Sequence, residues 1–126
     1  MGVVDRMEKS LAYLYLAGVF DTKGFINKNL KPDGKRRTKF NISFNFTDKQ
    51  KELFEKIACM LDYLGIKCKI YETGRTKGKK KEYQLYITKR EHARMFLSKI
   101  HNYSLRREEI MKALWELQRY ELKKKR

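Results

Sequence analysis

The sequence predicts an α+β domain, in the order αββαββαα, whose two hairpins form a four-stranded antiparallel sheet with helices on one face. Three observations carry this. Residues 37–46 alternate without a fault, with Phe40, Ile42, Phe44 and Phe46 toward one side and Lys39, Asn41, Ser43 and Asn45 toward the other, as a strand with one buried face requires. Apolar residues at helical spacing precede and follow each strand pair. Each pair is broken by a turn signal, Lys31-Pro32-Asp33-Gly34 in the first and the glycine-containing basic stretch 74–79 in the second, because proline presets one dihedral and glycine accepts a positive one.

The first helix is read at 8–21, with Leu11, Leu14, Tyr15 and Gly18 near helical spacing, Ser10 or Asp5 as start signal and an end near Asp21. Gly24 opens a strand over 24–30, and its partner follows at 37–46. Thr47-Asp48 then caps a helix at 47–64 with Leu53, Phe54, Ile57, Ala58, Leu61 and Leu64 as the buried stripe and Gly65 as the stop. The pattern repeats in kind. Strands at 66–73 and 82–88 follow, the second with Tyr83, Leu85 and Ile87 inward and Glu82, Gln84 and Tyr86 outward. Helices at 89–100 and 105–123 complete the chain, the last with Ile110, Leu114, Leu117 and Tyr120 on one side.

The 126 residues fit a single domain, 1–126, with no internal repeat and no low-complexity stretch. Lysine and arginine number 31 against 15 acidic residues, a formal charge of +16. An excess that large on a small domain is self-repelling unless a polyanion neutralises it, so nucleic acid is the expected partner. A membrane is not: the longest apolar run, Leu11 to Phe20, is ten residues, against about 20 for a bilayer span. The charged residues Asp5, Arg6, Glu8 and Lys9 are not followed by a small-residue cleavage site, so an intracellular, non-secreted protein, cytoplasmic or organellar, is expected. Cys59 and Cys68 have no CxxC spacing and His92 and His101 lie far from them in sequence. A zinc site is therefore not expected, and both cysteines are read as small buried hydrophobes in a reducing compartment.

The polar sheet face supplies a second argument for nucleic acid. Asn27, Lys28, Lys39, Asn41, Ser43, Asn45, Lys67, Lys69, Tyr71, Gln84 and Tyr86 mix cations with amides and hydroxyls, the groups that bond phosphates and base edges. The hairpin tips, with Lys35, Arg36 and Arg37 in one and Arg75, Lys77 and Lys79 in the other, are placed to hold the backbone. On the first helix, Leu14, Ala17 and Gly18 form a strip of small residues that would let a second helix approach closely. Packing within the same chain is the alternative for that strip.

The stretch Leu16-Ala17-Gly18-Val19-Phe20-Asp21-Thr22-Lys23-Gly24 resembles the LAGLIDADG motif of homing endonucleases, and the element order resembles that of the single-motif members along nearly the whole chain. The resemblance implies a homodimer whose paired motif helices set two sheets as a saddle in the major groove of double-stranded DNA. It implies magnesium, or another divalent cation, held by acidic residues at the helix ends. Lys23 stands where the family has that acidic ligand, and an ammonium group repels a cation and offers it no lone pair. Asp21 stands at the motif's first aspartate, as a weak metal ligand or as a structural acceptor. By alignment of flanking residues Asp48 falls where the family orders a water, though it equally suits a helix cap, and Arg106 falls where a basic residue stabilises charge at phosphorus or simply contacts backbone. The expected function is that of a site-specific endonuclease, intron- or intein-encoded, with cleavage impaired at Lys23. The alternatives are a DNA-binding protein without catalysis and an RNA maturase on the same scaffold. A ribosomal-type RNA-binding domain would lack, here, the aromatic signature expected on central strands.

Overall fold

A computed structural model describes residues 2–30, 38–73 and 82–124. The hairpin tips, and with them Lys35, Arg36, Arg37, Arg75, Lys77 and Lys79, lie outside the described residues. Helix α1 (Gly2–Lys23) runs into β1 (Gly24–Asn29), which is followed by β2 (Lys39–Thr47), a single 3-10 turn (Asp48–Gln50), α2 (Lys51–Tyr63), β3 (Lys69–Thr73), β4 (Glu82–Ile87), α3 (Arg90–Ile100) and α4 (Arg107–Lys124). The four strands form one antiparallel sheet in the order β1-β2-β4-β3.

Several boundaries differ from the sequence reading, the start of α1 most, at Gly2 and not at 8, and three of the differences have a local reason. α1 continues past Asp21 because that carboxylate is engaged by a distant part of the chain, described below, and is not turned back to cap its own backbone. The Thr22 hydroxyl donates to the Val19 carbonyl at 3.2 Å, within the turn, and the helix runs to Lys23. α2 begins only at Lys51, since Thr47 remains in the strand and its N–H donates to Gln50 Oε1 at 3.0 Å across the intervening turn. β3 begins at Lys69 because residues 66–68 are held elsewhere. Ile66 N–H donates to Leu61 O at 2.8 Å and Gly65 N–H to Asp62 O at 3.0 Å, while Gly65 has φ +79°. This is the Schellman closure that a glycine stop permits. Lys67 N–H then donates to His92 Nδ1 at 3.0 Å.

The core lies between the helices and the inner sheet face, with Phe40, Ile42, Phe44, Phe46, Leu85 and Ile87 buried as the alternation requires. Its centre is an aromatic junction. Phe20 of α1 meets Phe44 of β2 edge-on at 6.4 Å between ring centroids and Phe96 of α3 at 6.3 Å, while Phe44 and Phe96 stand perpendicular at 5.9 Å. Such pairs add directional preference to area burial, about 0.5–1.5 kcal/mol each, and they orient α1 on the sheet. The apolar pattern of α1 divides into two faces: Tyr13, Leu16, Ala17 and Phe20 are buried, while Leu11, Leu14 and Tyr15 are exposed. Cys59 is exposed, contrary to the reading of a buried thiol, because it falls beside the Phe54-Ile57-Leu61 stripe of α2 and outside it. Cys68 is half-buried, and burial, with the Asp62 charge adding to it, pushes its thiol up.

α1 passes into β1 with no residue between them, and Gly24 is what permits it. A Cβ there would meet the Phe20 ring and sit 2.9 Å from the Phe20 carbonyl oxygen, an overlap that neither group can relieve while the ring stays in the core. Gly24→Ala should therefore lower stability by about 1–3 kcal/mol, read as a drop in denaturation midpoint at unchanged m-value.

Candidate nucleic-acid interface

Strand register decides which side chains share the outer face. Phe25 pairs with Ser43, Ser43 with Tyr86, and Tyr86 with Lys69, so these four form one row across the whole sheet. Asn45, Gln84 and Tyr71 form the next row, and Asn27–Asn41 and Asn29–Lys39 extend the face along β1 and β2. Thr47 and Glu82 close the other end. Glu82 is the one carboxylate on this face among the described residues, so the surface is polar and mildly cationic. The Asn27 amide donates to Asn41 Oδ1 at 2.9 Å and to Ser43 Oγ at 3.0 Å, which fixes three polar groups before any ligand arrives.

Lys39, Asn41, Ser43, Asn45, Lys69, Tyr71, Gln84, Tyr86 and Asn27 thus lie together, as their strand parity required. Lys28 does not. It pairs in register with the buried Phe40, on the helix-covered side, and its ammonium group forms an ion pair with Glu116 of α4 at 2.6 Å. Lys67 precedes β3 and lies outside the ladder. Phe25 and Asn29 were missed, although alternation held the signal: adjacent residues 27 and 28 cannot share a face, whereas 25, 27 and 29 must.

The end of α1 is occupied by structural bonds. Ser104 Oγ donates to Asp21 Oδ1, and the Leu105 N–H donates to Asp21 Oδ2 at 2.8 Å. Arg106 is engaged around its whole guanidinium. Nη1 donates to the carbonyls of Phe20 at 2.8 Å and Gly24 at 2.7 Å, Nε and Nη2 hold Glu109 at 2.9 and 2.6 Å, and the plane lies over the Phe20 ring at 4.3 Å. These bonds make Arg106 a clamp on the end of the helix. The Lys23 ammonium sits 5.8 Å from the Phe46 ring centroid, at a helix C-terminus where the dipole favours a cation. The side chain of Asp48 lies outside the described residues. On α1, Leu14 and Gly18 are exposed, and a Cβ on Gly18 would meet nothing within 4 Å. Ala17 is instead fully buried in its own chain and leaves the strip, which Leu11 and Tyr15 join at spacing 11, 14, 15, 18.

Residues 10–101 match the family model of the LAGLIDADG-like domain. The chain belongs to the LAGLIDADG family. No curated protein matches the sequence. Among solved structures, this LAGLIDADG chain is similar to the homing endonuclease I-CvuI in complex with the I-CreI target, at 18% identity and a TM-score of 0.64 over 86% of this chain and 67% of that one. It is similar also to the LAGLIDADG meganuclease I-CpaMI bound to uncleaved DNA, at 20% identity and TM-score 0.58 over 90% and 38% of the two chains. The archaeal intron-encoded homing endonuclease I-Vdi141I complexed with DNA matches at 18% identity and TM-score 0.58 over 83% and 65%. These likenesses establish the homing-endonuclease fold.

The residues present do not fit a catalytic divalent cation at the motif. Each Asp21 oxygen accepts one hydrogen bond from the protein, Lys23 offers no lone pair, and among the described residues no three His, Cys, Asp or Glu side chains are grouped closely enough to hold a metal ion. Also among the described residues, no helix is long and apolar enough to cross a membrane.

The hydrogen bond from Arg106 holds Glu109 below its ordinary value of 4.5, against a smaller opposing effect of burial and with the charges of Arg106 and Lys28 assisting. A depressed folded-state value means that this carboxylate stabilises the fold above about 4.5 and ceases to as pH falls through the lower folded value. The stability difference between the wild type and Glu109→Gln, from urea unfolding at a series of pH values, should be positive near neutrality and vanish below that window.

Proposed function

We propose that this LAGLIDADG chain is a homing-type, site-specific double-strand DNA-binding protein acting as a homodimer, whose magnesium-dependent phosphodiester cleavage is impaired at Lys23. The observation that carries the reading is the outer sheet face, amide-rich and nearly free of carboxylates, which continues directly from the motif helix. Its groups are those that reach base edges in a major groove. The basic balance of the whole chain, +16, suits the phosphate backbone around such a groove. That I-CvuI, I-CpaMI and I-Vdi141I were solved with DNA supports the same partner. Such a partner places the protein inside the cell, in cytoplasm or organelle.

The homodimer rests on α1. Leu11, Leu14, Tyr15 and Gly18 form an exposed stripe at the 3–4 spacing of helix interfaces, and a twofold pairing makes such a patch its own partner. The tethering of Asp21 and Arg106 favours the binding-only reading over an active nuclease. An RNA maturase would use the same scaffold, and comparing folded intron RNA with duplex DNA in one binding assay separates the two.

Gly18→Leu should break the dimer without harming the subunit, since the monomer has open space there and leucine is a better helix former than glycine by about 1 kcal/mol. Sedimentation should show dimer for the wild type and monomer for the variant at micromolar concentration. A wild type that stays monomeric, alone and on a palindromic duplex, would sink the dimer.

Cleavage gives the second test. The wild type should bind its duplex and leave it uncut with magnesium, whereas Lys23→Asp, which restores a carboxylate at the position, should nick or cut it. The same variant should be less stable by about 0.3–1 kcal/mol, because an acid replaces a cation at a helix C-terminus. Efficient cutting by the wild type would overturn the impairment.

A further inference from the structure

The outer sheet face carries exposed aromatic rings beside its polar groups. Phe25 is 50% exposed and Tyr71 48% exposed, and the partly exposed Tyr86 meets Tyr71 nearly perpendicular, with 5.5 Å between centroids. Phe25 and Tyr86 sit in one row on either side of Ser43, two strand spacings or about 10 Å apart. A duplex offers base edges to a sheet and hides base faces in the stack. An unpaired base offers both.

We infer that this face binds unpaired nucleotides, stacking their bases on Phe25, Tyr86 and Tyr71. The inference rests on the reading of the face as a nucleic-acid surface and adds unpaired strands to the duplex that it takes. A further feature agrees. Beside Phe25, the Asn27 amide group donates to both Asn41 and Ser43, so Asn27 Oδ1 is left to accept and Asn41 Nδ2 to donate. That adjacent acceptor and donor match the mixed pattern on the pairing edge of a base, which is open only in a single strand. Four-stranded sheets with exposed rings bind single strands in this way in general, and stacking of this kind tolerates any sequence because every base has a π-face.

The test is fluorescence anisotropy with the full chain at one salt concentration, using labelled oligo-dT and oligo-U of about 12 nucleotides, a length within the usual single-strand site sizes, and a duplex of equal length. Phe25→Ala and Tyr71→Ala should each weaken single-strand binding about tenfold, the loss of one stacked base, and weaken duplex binding clearly less. Phe25→Trp should retain the single-strand affinity. Both substituted side chains are exposed, so a circular dichroism melt superimposing on the wild type should accompany the result. Binding of both oligonucleotides, of oligo-dT alone or of oligo-U alone each supports the proposal and assigns the strand as either, DNA or RNA. If duplex binding persists while single strands are not held, or are held independently of the rings, the stacking proposal falls alone. Equal losses on duplex and single strand also overturn it. If neither form binds, the nucleic-acid reading of the face falls with it.

Discussion

The Arg106 guanidinium holds the junction on which the architecture turns. α1 ends at Lys23 and β1 begins at Gly24, so the carbonyls of the last helical turn and of the first strand residue come close together with no loop to separate them. Helix ends leave carbonyls without intrahelical partners, and burying such groups unpaired costs about 1–3 kcal/mol each. One planar donor answers both Phe20 and Gly24, stacks on the Phe20 ring and is itself held by Glu109. Lysine could not do this, because a point charge lacks the fork. Phe20 in turn is the α1 member of the aromatic junction with Phe44 and Phe96, so the clamp and the core position the same residue.

The same economy is seen at the motif's aspartate. A carboxylate at position 21 can serve a ligand or the fold, and here Ser104 and the Leu105 backbone take both oxygens. Those bonds tie the end of α1 to the start of α4 across more than eighty residues of sequence. With Asp21 so engaged, the electrostatics at the helix end no longer need to tolerate a second acid, and a lysine there is favoured by the macrodipole and by the Phe46 ring nearby.

Much of this was legible from residues alone where a period was strong. Phe40 through Phe46 set the sheet's inner face, Gly65 ended α2, and the motif announced the family before any coordinates. Legibility failed where long-range bonds override local habit. Asp21 looks like a helix terminator and is a tether. Arg106 reads as a charge for phosphorus or backbone, and its bonds to the Phe20 and Gly24 carbonyls were not legible. Lys28 reads as basic surface, yet strand parity turns it toward Glu116. The apolar residues of α1 cover nearly its whole circumference, and only packing reveals that Tyr13, Leu16, Ala17 and Phe20 belong to the subunit's interior while Leu11, Leu14 and Tyr15 stay outside.

The absence of a linker between α1 and β1 also sets how a pair of subunits would measure distance. A helix advances about 1.5 Å per residue and turns about 100°, and β1 follows α1 with no residue between them. In the proposed dimer, any slippage along the helix seam would therefore carry each sheet bodily along and around its binding track. The gap between the two halves of a palindrome would then be gauged by the helix seam, with no loop available to adjust it, and altering that gap would mean re-cutting the helix pairing itself.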